Sequence, residues 1–117
     1  MDVAFDPNCI FCKIASGEIS TDIVAQNERC LAFHDIDPKA PVHFLVIPRM
    51  HIESLNLLDD AEVAADLLSL CANVARRAGV DESGYRVLTN IGPEAGQSVA
   101  HLHFHVLGGR QLALGLG

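Results

Sequence analysis

Three observations predict an α+β domain built on an antiparallel sheet with helices packed on it. Strand-like and helical runs follow one another without the regular alternation of a parallel sheet. One segment, residues 98–107, alternates histidines with large apolar residues at the two-residue period of an extended strand. One long stretch, residues 59–78, repeats apolar positions at helical spacing. The chain has 117 residues, half of them hydrophobic, which suits a single domain, 1–117, with its own core.

Taken in order, Cys9 to Ser16 reads as a short helix stopped by Gly17. Strands follow at Ile23–Ala25, Cys30–His34 and His43–Ile47. Between the last two, Asp37-Pro38-Lys39-Ala40-Pro41 reads as a loop, because proline removes a ladder N–H and restricts its predecessor. In the third strand His43, Leu45 and Ile47 share one face, and Phe44 and Val46 the other. The long helix carries Ala61, Ala64, Leu68, Cys71 and Ala75 in one stripe, widened by Leu67, Val74 and Ala78. Asp59 is positioned to cap its start, and Arg76 and Arg77 precede Gly79 at its end. Tyr85–Asn90 and a histidine strand over 101–107 complete the sheet, with 111–117 as a tail.

Composition narrows the function. A net charge of −7 argues against nucleic acid as a partner, since polyanions need Lys and Arg to neutralise phosphates. It leaves room for one small nucleotide in a pocket. Apolar runs are too short to span a membrane. Met1 to Cys12 carries acids and no basic cluster, so no signal peptide is expected. Four cysteines then point to reduced thiols and a cytoplasmic location.

Three motifs carry chemistry. His101, His103 and His105 fall on one strand face, while Leu102, Phe104 and Val106 bury the other. Three imidazoles pack poorly and react well near neutral pH, so this face is a metal site or a catalytic strand. The preceding loop, Asn90 to Ser98, reads either as a glycine-containing hairpin or as an anion cradle of backbone N–H groups and a hydroxyl. It has no Gly-Lys-Ser/Thr signature and is not a P-loop. Cys9-Ile10-Phe11-Cys12 is a zinc half-site, a redox pair or two buried thiols. If it binds zinc, His51 and His101 are the preferred further ligands. Cys30 and Cys71 sit at apolar-periodic positions as core residues.

Three segments together resemble the histidine-triad (HIT) superfamily, specifically its Hint branch of purine-nucleoside phosphoramidate hydrolases. They are Cys30 to Ile36, Pro41 to Pro48 and Gly96 to Arg110, the last with Gly-Gln-Ser before the triad and Leu-Gly-Gly-Arg after it. The resemblance spans roughly Ile10 to Gln111.

It implies a five-stranded antiparallel sheet with one long and one short helix, in a homodimer whose sheets join into ten continuous strands. It implies transfer of a nucleoside monophosphate onto His103 and then onto water. By position, His101 and His105 complete the catalytic triad, with His105 at the phosphate oxygens and the His101 carbonyl holding His103. Asp35 meets the ribose, Asn90, Gly96, Gln97 and Ser98 meet the phosphate and leaving group, and His43 acts as a relay behind the triad. Ile10, Phe11, Ile14, Ile19, Phe33 and Ile36 match the purine slot. A neutral imidazole attacks phosphorus without adding anionic repulsion and forms a phosphoramidate that water cleaves. Neighbouring His105 would take positive charge as the phosphoryl group becomes most anionic, and no catalytic metal is expected.

The zinc-containing bacterial variant further implies Cys9, Cys12, His51 and His101 as a closed, structural zinc set. Two departures stand out. Asp37 replaces a frequent serine, which predicts an extra negative charge at the pocket rim. The tail 111–117 lacks the Trp and Pro of animal relatives, which bears on leaving-group preference. His34 reads as structural, and Glu18, Arg86 and Glu94 as solvated surface. Rival functions are dinucleoside polyphosphate hydrolysis, a non-catalytic nucleotide-binding dimer and a metal-buffering histidine cluster.

Overall fold

The computed structural model describes residues 5–117. Five antiparallel strands form one sheet in the order β1-β2-β3-β5-β4: β1 is Ile23–Gln26, β2 Cys30–His34, β3 Val42–Pro48, β4 Tyr85–Leu88 and β5 Phe104–Gly108. Helix α1 is Ile10–Ala15 and helix α2 is Ala61–Arg77; short 3₁₀ turns lie at Leu55–Leu57, between β3 and α2, and at Pro93–Ala95, between β4 and β5. Among the described residues no helix is long and apolar enough to cross a membrane.

One parity rule organises the sheet. Even-numbered residues of the three central strands (Cys30 and Ala32, Phe44 and Val46, Val106) join Val63, Leu67, Leu70, Cys71 and Val74 of α2 in one core cluster. Odd-numbered residues (Leu31 and Phe33, Leu45 and Ile47) face the other way and pack with Phe11 and Cys12 of α1. The registers Ala32↔Val46 and Phe44↔Val106 keep like parities opposite each other, so the alternation read in single strands holds across the sheet.

Helix α2 differs from expectation in phase and start. Asp60, not Asp59, caps it, its carboxylate accepting from the N–H groups of Glu62 and Val63. Val63 and Leu70 are buried, while Leu68 is 57% exposed and Ala61 and Ala78 are also exposed. Alanines are scattered round this helix, so small apolar residues occur on every face. The larger side chains facing β2, β3 and β5 decide which stripe is buried. Cys30 and Cys71 lie in the core as expected, burial pushing both thiols up to about 12.

The histidine segment also departs from its predicted bounds, since β5 starts at Phe104 and not at 101. Its ladder with β3 ends at Val46↔Phe104, and the next step would set Leu102 opposite Pro48, which has no N–H to give. Residues 101–103 have no partner strand. The Leu102 N–H instead donates to the Ile52 carbonyl at 2.6 Å. The alternation survives: Leu102 is buried in the α2 core, and the histidines face the other side.

Candidate active site

All six histidines sit on, or at the edge of, this sheet. His34 is even-numbered and exposed; its ring lies tilted over Phe44 at 4.9 Å, and the residue also borders the main cavity of the site. The odd-numbered His43, His103 and His105 converge where α1, β2 and the 90–98 loop meet. A cavity of about 490 Å³ opens there, lined by Ile10, Phe11, Ile14, Ile19, Phe33, Asp35, Ile36, Ser98, His103 and His105. All six expected apolar residues reach it, although Ile36 is 99% exposed at the rim. A second cavity of about 460 Å³ shares Asp35, Ser98 and His105 with the first and adds Asp37, Lys39, His43 and Asn90.

Hydrogen bonds assign the imidazole tautomers. His103 donates from Nδ1–H to the His101 carbonyl at 2.7 Å, leaving Nε2 without its proton. The His103 ring is nearly buried, edge-on to Phe11 at 5.1 Å, and borders the cavity on the face opposite α2. His43 accepts the Lys39 backbone N–H at Nδ1 (3.0 Å), so its proton is on Nε2. That Nε2–H donates to His105 Nδ1 at 2.9 Å, with an Asp35 carboxylate oxygen at 3.4 Å. His105 in turn keeps its proton on Nε2. Burial pushes His105 down to about 4, helped by the neighbouring His103 and His43, and burial also lowers His43. With both lowered, His43 and His105 are neutral at neutral pH, and His105 presents an N–H donor.

Asp35, His43 and His105 bring three ligand-type atoms close together. They form a hydrogen-bonded chain, and a metal at His43 Nε2 would move its proton to Nδ1, against the Lys39 N–H.

The 90–98 loop divides the expected phosphate contacts. Asn90 and Ser98 line the cavities. Gly96 adopts φ +80° and donates its N–H to the Pro93 carbonyl within the 3₁₀ turn. Gln97 clasps the loop: its Oε1 accepts from Gly92 N–H, and its Nε2 donates to the Glu53 and Val99 carbonyls. Neither residue lines the two cavities, and the Gly96 N–H and the Gln97 side-chain amide are held within the loop and its neighbours. Two further residues had no signal in the sequence. The Thr89 hydroxyl donates to the His103 carbonyl at 2.8 Å, where β4 has run out. Arg86, expected as solvated surface, donates to the Ala113 carbonyl and holds the tail. Asp37 is exposed and paired with Lys39 at 2.8 Å, which holds its carboxyl below the usual range and compensates its charge.

Beside the triad lies a second constellation, Cys9, Cys12, His51 and His101. Cys9 caps α1, its sulfur accepting from the Cys12 N–H. His101, fully buried, donates Nε2–H to the Pro48 carbonyl at 2.9 Å, which leaves Nδ1 free as a ligand. The Nδ1 atoms lie 3.3 Å (Cys9–His101), 3.3 Å (Cys12–His51) and 3.6 Å (Cys12–His101) from the sulfurs. A tetrahedral ion with bonds of about 2.3 Å to sulfur and 2.0 Å to nitrogen has S···N edges of roughly 3.5 Å. The four donors are close enough to hold a metal ion and are spaced for it. Burial, with Cys9 alongside, pushes the Cys12 thiol up to about 11, so a cation there would be what holds it as a thiolate.

Sheet order, triad and cavity together define a HIT-type domain, and residues 16–112 match the HIT domain family. The chain belongs to that family. It is 47% identical over 100 residues to an uncharacterized HIT-like protein of Helicobacter pylori, covering 86% of this chain and 95% of that one. A HIT family hydrolase from Legionella pneumophila superposes with a TM-score of 0.90 at 44% identity, covering 94% and 100% of the two chains. One from Clostridium thermocellum gives 0.91 at 41% identity, covering 95% and 98%.

Proposed function

We propose that this protein hydrolyses purine nucleoside 5′-phosphoramidates, or acyl-adenylates, through a nucleotidyl-histidine intermediate on His103. The observation that carries this reading is the His103 ring: Nδ1–H held by the His101 carbonyl, Nε2 bare, and the ring bordering a cavity shared with Asp35 and His105. The purine takes the apolar slot and Asp35 the ribose hydroxyls. His103 Nε2 attacks phosphorus, the P–N bond breaks, and the amine leaves with the electron pair and a proton from the water-accessible side. Water then cleaves the His–P bond, releasing the nucleoside monophosphate and restoring the imidazole. His105 Nε2–H donates to a non-bridging oxygen, and the His43 relay lets it gain positive character as charge builds. Ser98 and Asn90 contact the phosphate and leaving group.

Cys9, Cys12, His51 and His101 hold zinc in this reading. A closed four-donor set leaves no position for substrate, so the ion would supply structure and no chemistry of its own. Elemental analysis of protein purified without chelator should find close to one zinc per chain, and its absence would remove the assignment. The working form is a cytoplasmic homodimer with a continuous ten-stranded sheet. Tyr85 and Val87, 38% and 37% exposed on edge strand β4, support it, and sedimentation tests it.

The decisive experiment incubates the protein with adenosine phosphoramidate and searches by mass spectrometry for an adenylylated peptide covering residues 99–110. Turnover without any modified His103 overturns the covalent route. Faster hydrolysis of diadenosine tetraphosphate would place the chain with the dinucleoside polyphosphate hydrolases instead.

A further inference from the structure

We propose that His101 is a positioning residue: its ring belongs to the four-donor centre while its carbonyl aims His103, so loading of the centre sets the rate of attack. This rests on the reading of His103 as nucleophile and goes beyond a stabilising ion.

The argument turns on one peptide unit. The bond joining His101 to Leu102 carries both the carbonyl that accepts from His103 Nδ1–H (2.7 Å) and the N–H that donates to the Ile52 carbonyl (2.6 Å). It lies outside the β5 ladder, so no strand pairing holds it. The residues flanking this link are themselves donors of the centre: His101 on one side and His51, next to Ile52, on the other. Bringing His51 and His101 onto one ion fixes both ends of the Leu102–Ile52 bond and hence the plane of the peptide. That plane determines whether His103 finds an acceptor for Nδ1–H. Without the acceptor, the proton is free to sit on Nε2, and an Nε2–H nitrogen has no lone pair for phosphorus. The ordinary structural role of such a centre predicts lower stability and nothing about the His103 tautomer.

The test reads that tautomer directly, by nitrogen-15 NMR of the imidazoles in zinc-loaded, metal-stripped and cobalt-reconstituted protein. The cobalt spectrum reports occupancy of the centre independently of activity. In the stripped protein we expect the Nε2–H form of His103 to appear and kcat to fall roughly tenfold or more. Zinc or cobalt should restore both. His51→Gln provides the second arm, because His51 lines no part of the nucleotide cavity. A folded His51→Gln variant should show the same tautomer shift, with kcat down about threefold or more and KM within about twofold. If the stripped protein unfolds, this variant decides. An unchanged tautomer overturns the proposal, whether or not kcat falls. If the native protein turns over no nucleotide, the functional reading has failed, and the tautomer comparison still settles the positioning role.

Discussion

The two faces of the sheet share their strands and differ in almost everything else. On the α2 face, the buried even-numbered side chains are apolar and interlock with a 17-residue helix. On the α1 face, odd-numbered side chains begin as the same kind of core, with Leu31, Phe33, Leu45 and Ile47, and then give way to imidazoles. The covering helix there has only six residues, too short to close the surface, and a cavity remains. One face supplies the stability that lets the other carry buried histidines beside an opening. A short cover over a rigid sheet is what makes a site.

If this division is right, the two faces respond to mutation in opposite ways. The largest effect is expected for His103→Ala, with turnover down on the order of 10⁴-fold or more and the melting temperature nearly unchanged. Phosphoramidate hydrolysis read beside a thermal melt checks it. Residual activity near the native level would dissolve the distinction between the faces.

Leu67→Ala tests the opposite face. Deleting that fully buried side chain should cost about 2–5 kcal/mol, with turnover per folded molecule retained. Denaturant unfolding and active-site titration measure the two quantities separately.

His43→Ala removes the relay and should lower kcat about 10- to 100-fold, with KM little changed. Equal loss in KM would instead make His43 a binding residue.

Acid sharpens the contrast more gently. His105 titrates near 4 in the folded protein, against about 6.5 in an unfolded chain. Between those values the unfolded state binds more protons, so stability falls as pH drops from about 6.5 towards 4 and levels off below. Melting curves at stepped pH should show that loss, and removing His105 should shrink it.

The smallest effect is expected for Asp37→Ser. Its charge is paired with Lys39 and fully exposed, so KM should move by no more than about threefold.

Much of the molecule was legible in single residues. Strand parity, the loop between β2 and β3, the apolar slot and the Cys-x-x-Cys with its two histidines all follow from periodicity, proline and resemblance. The phase of α2 did not, since its alanines leave the buried stripe to be chosen by the sheet it meets. Asp59 and Asp60 are equal as caps on paper, and the entry geometry of the chain selected the second. Thr89, the Gln97 clasp and the Lys39 N–H on His43 were invisible for one reason: each is a single polar group whose partner is defined only after folding.

Local order determined which side chains share a face, because alternation in an extended backbone needs no knowledge of the rest of the chain. It thereby set three imidazoles in one row. A local carbonyl holds His103 Nδ1–H, but tertiary structure decided the partners of His101 and His105 that give those rings distinct work. The acceptors and donors involved include Pro48 and Cys9, 53 and 92 positions from His101, and His43, 62 positions from His105. Only a folded sheet brings such groups within the 3 Å or so over which a proton's location is settled.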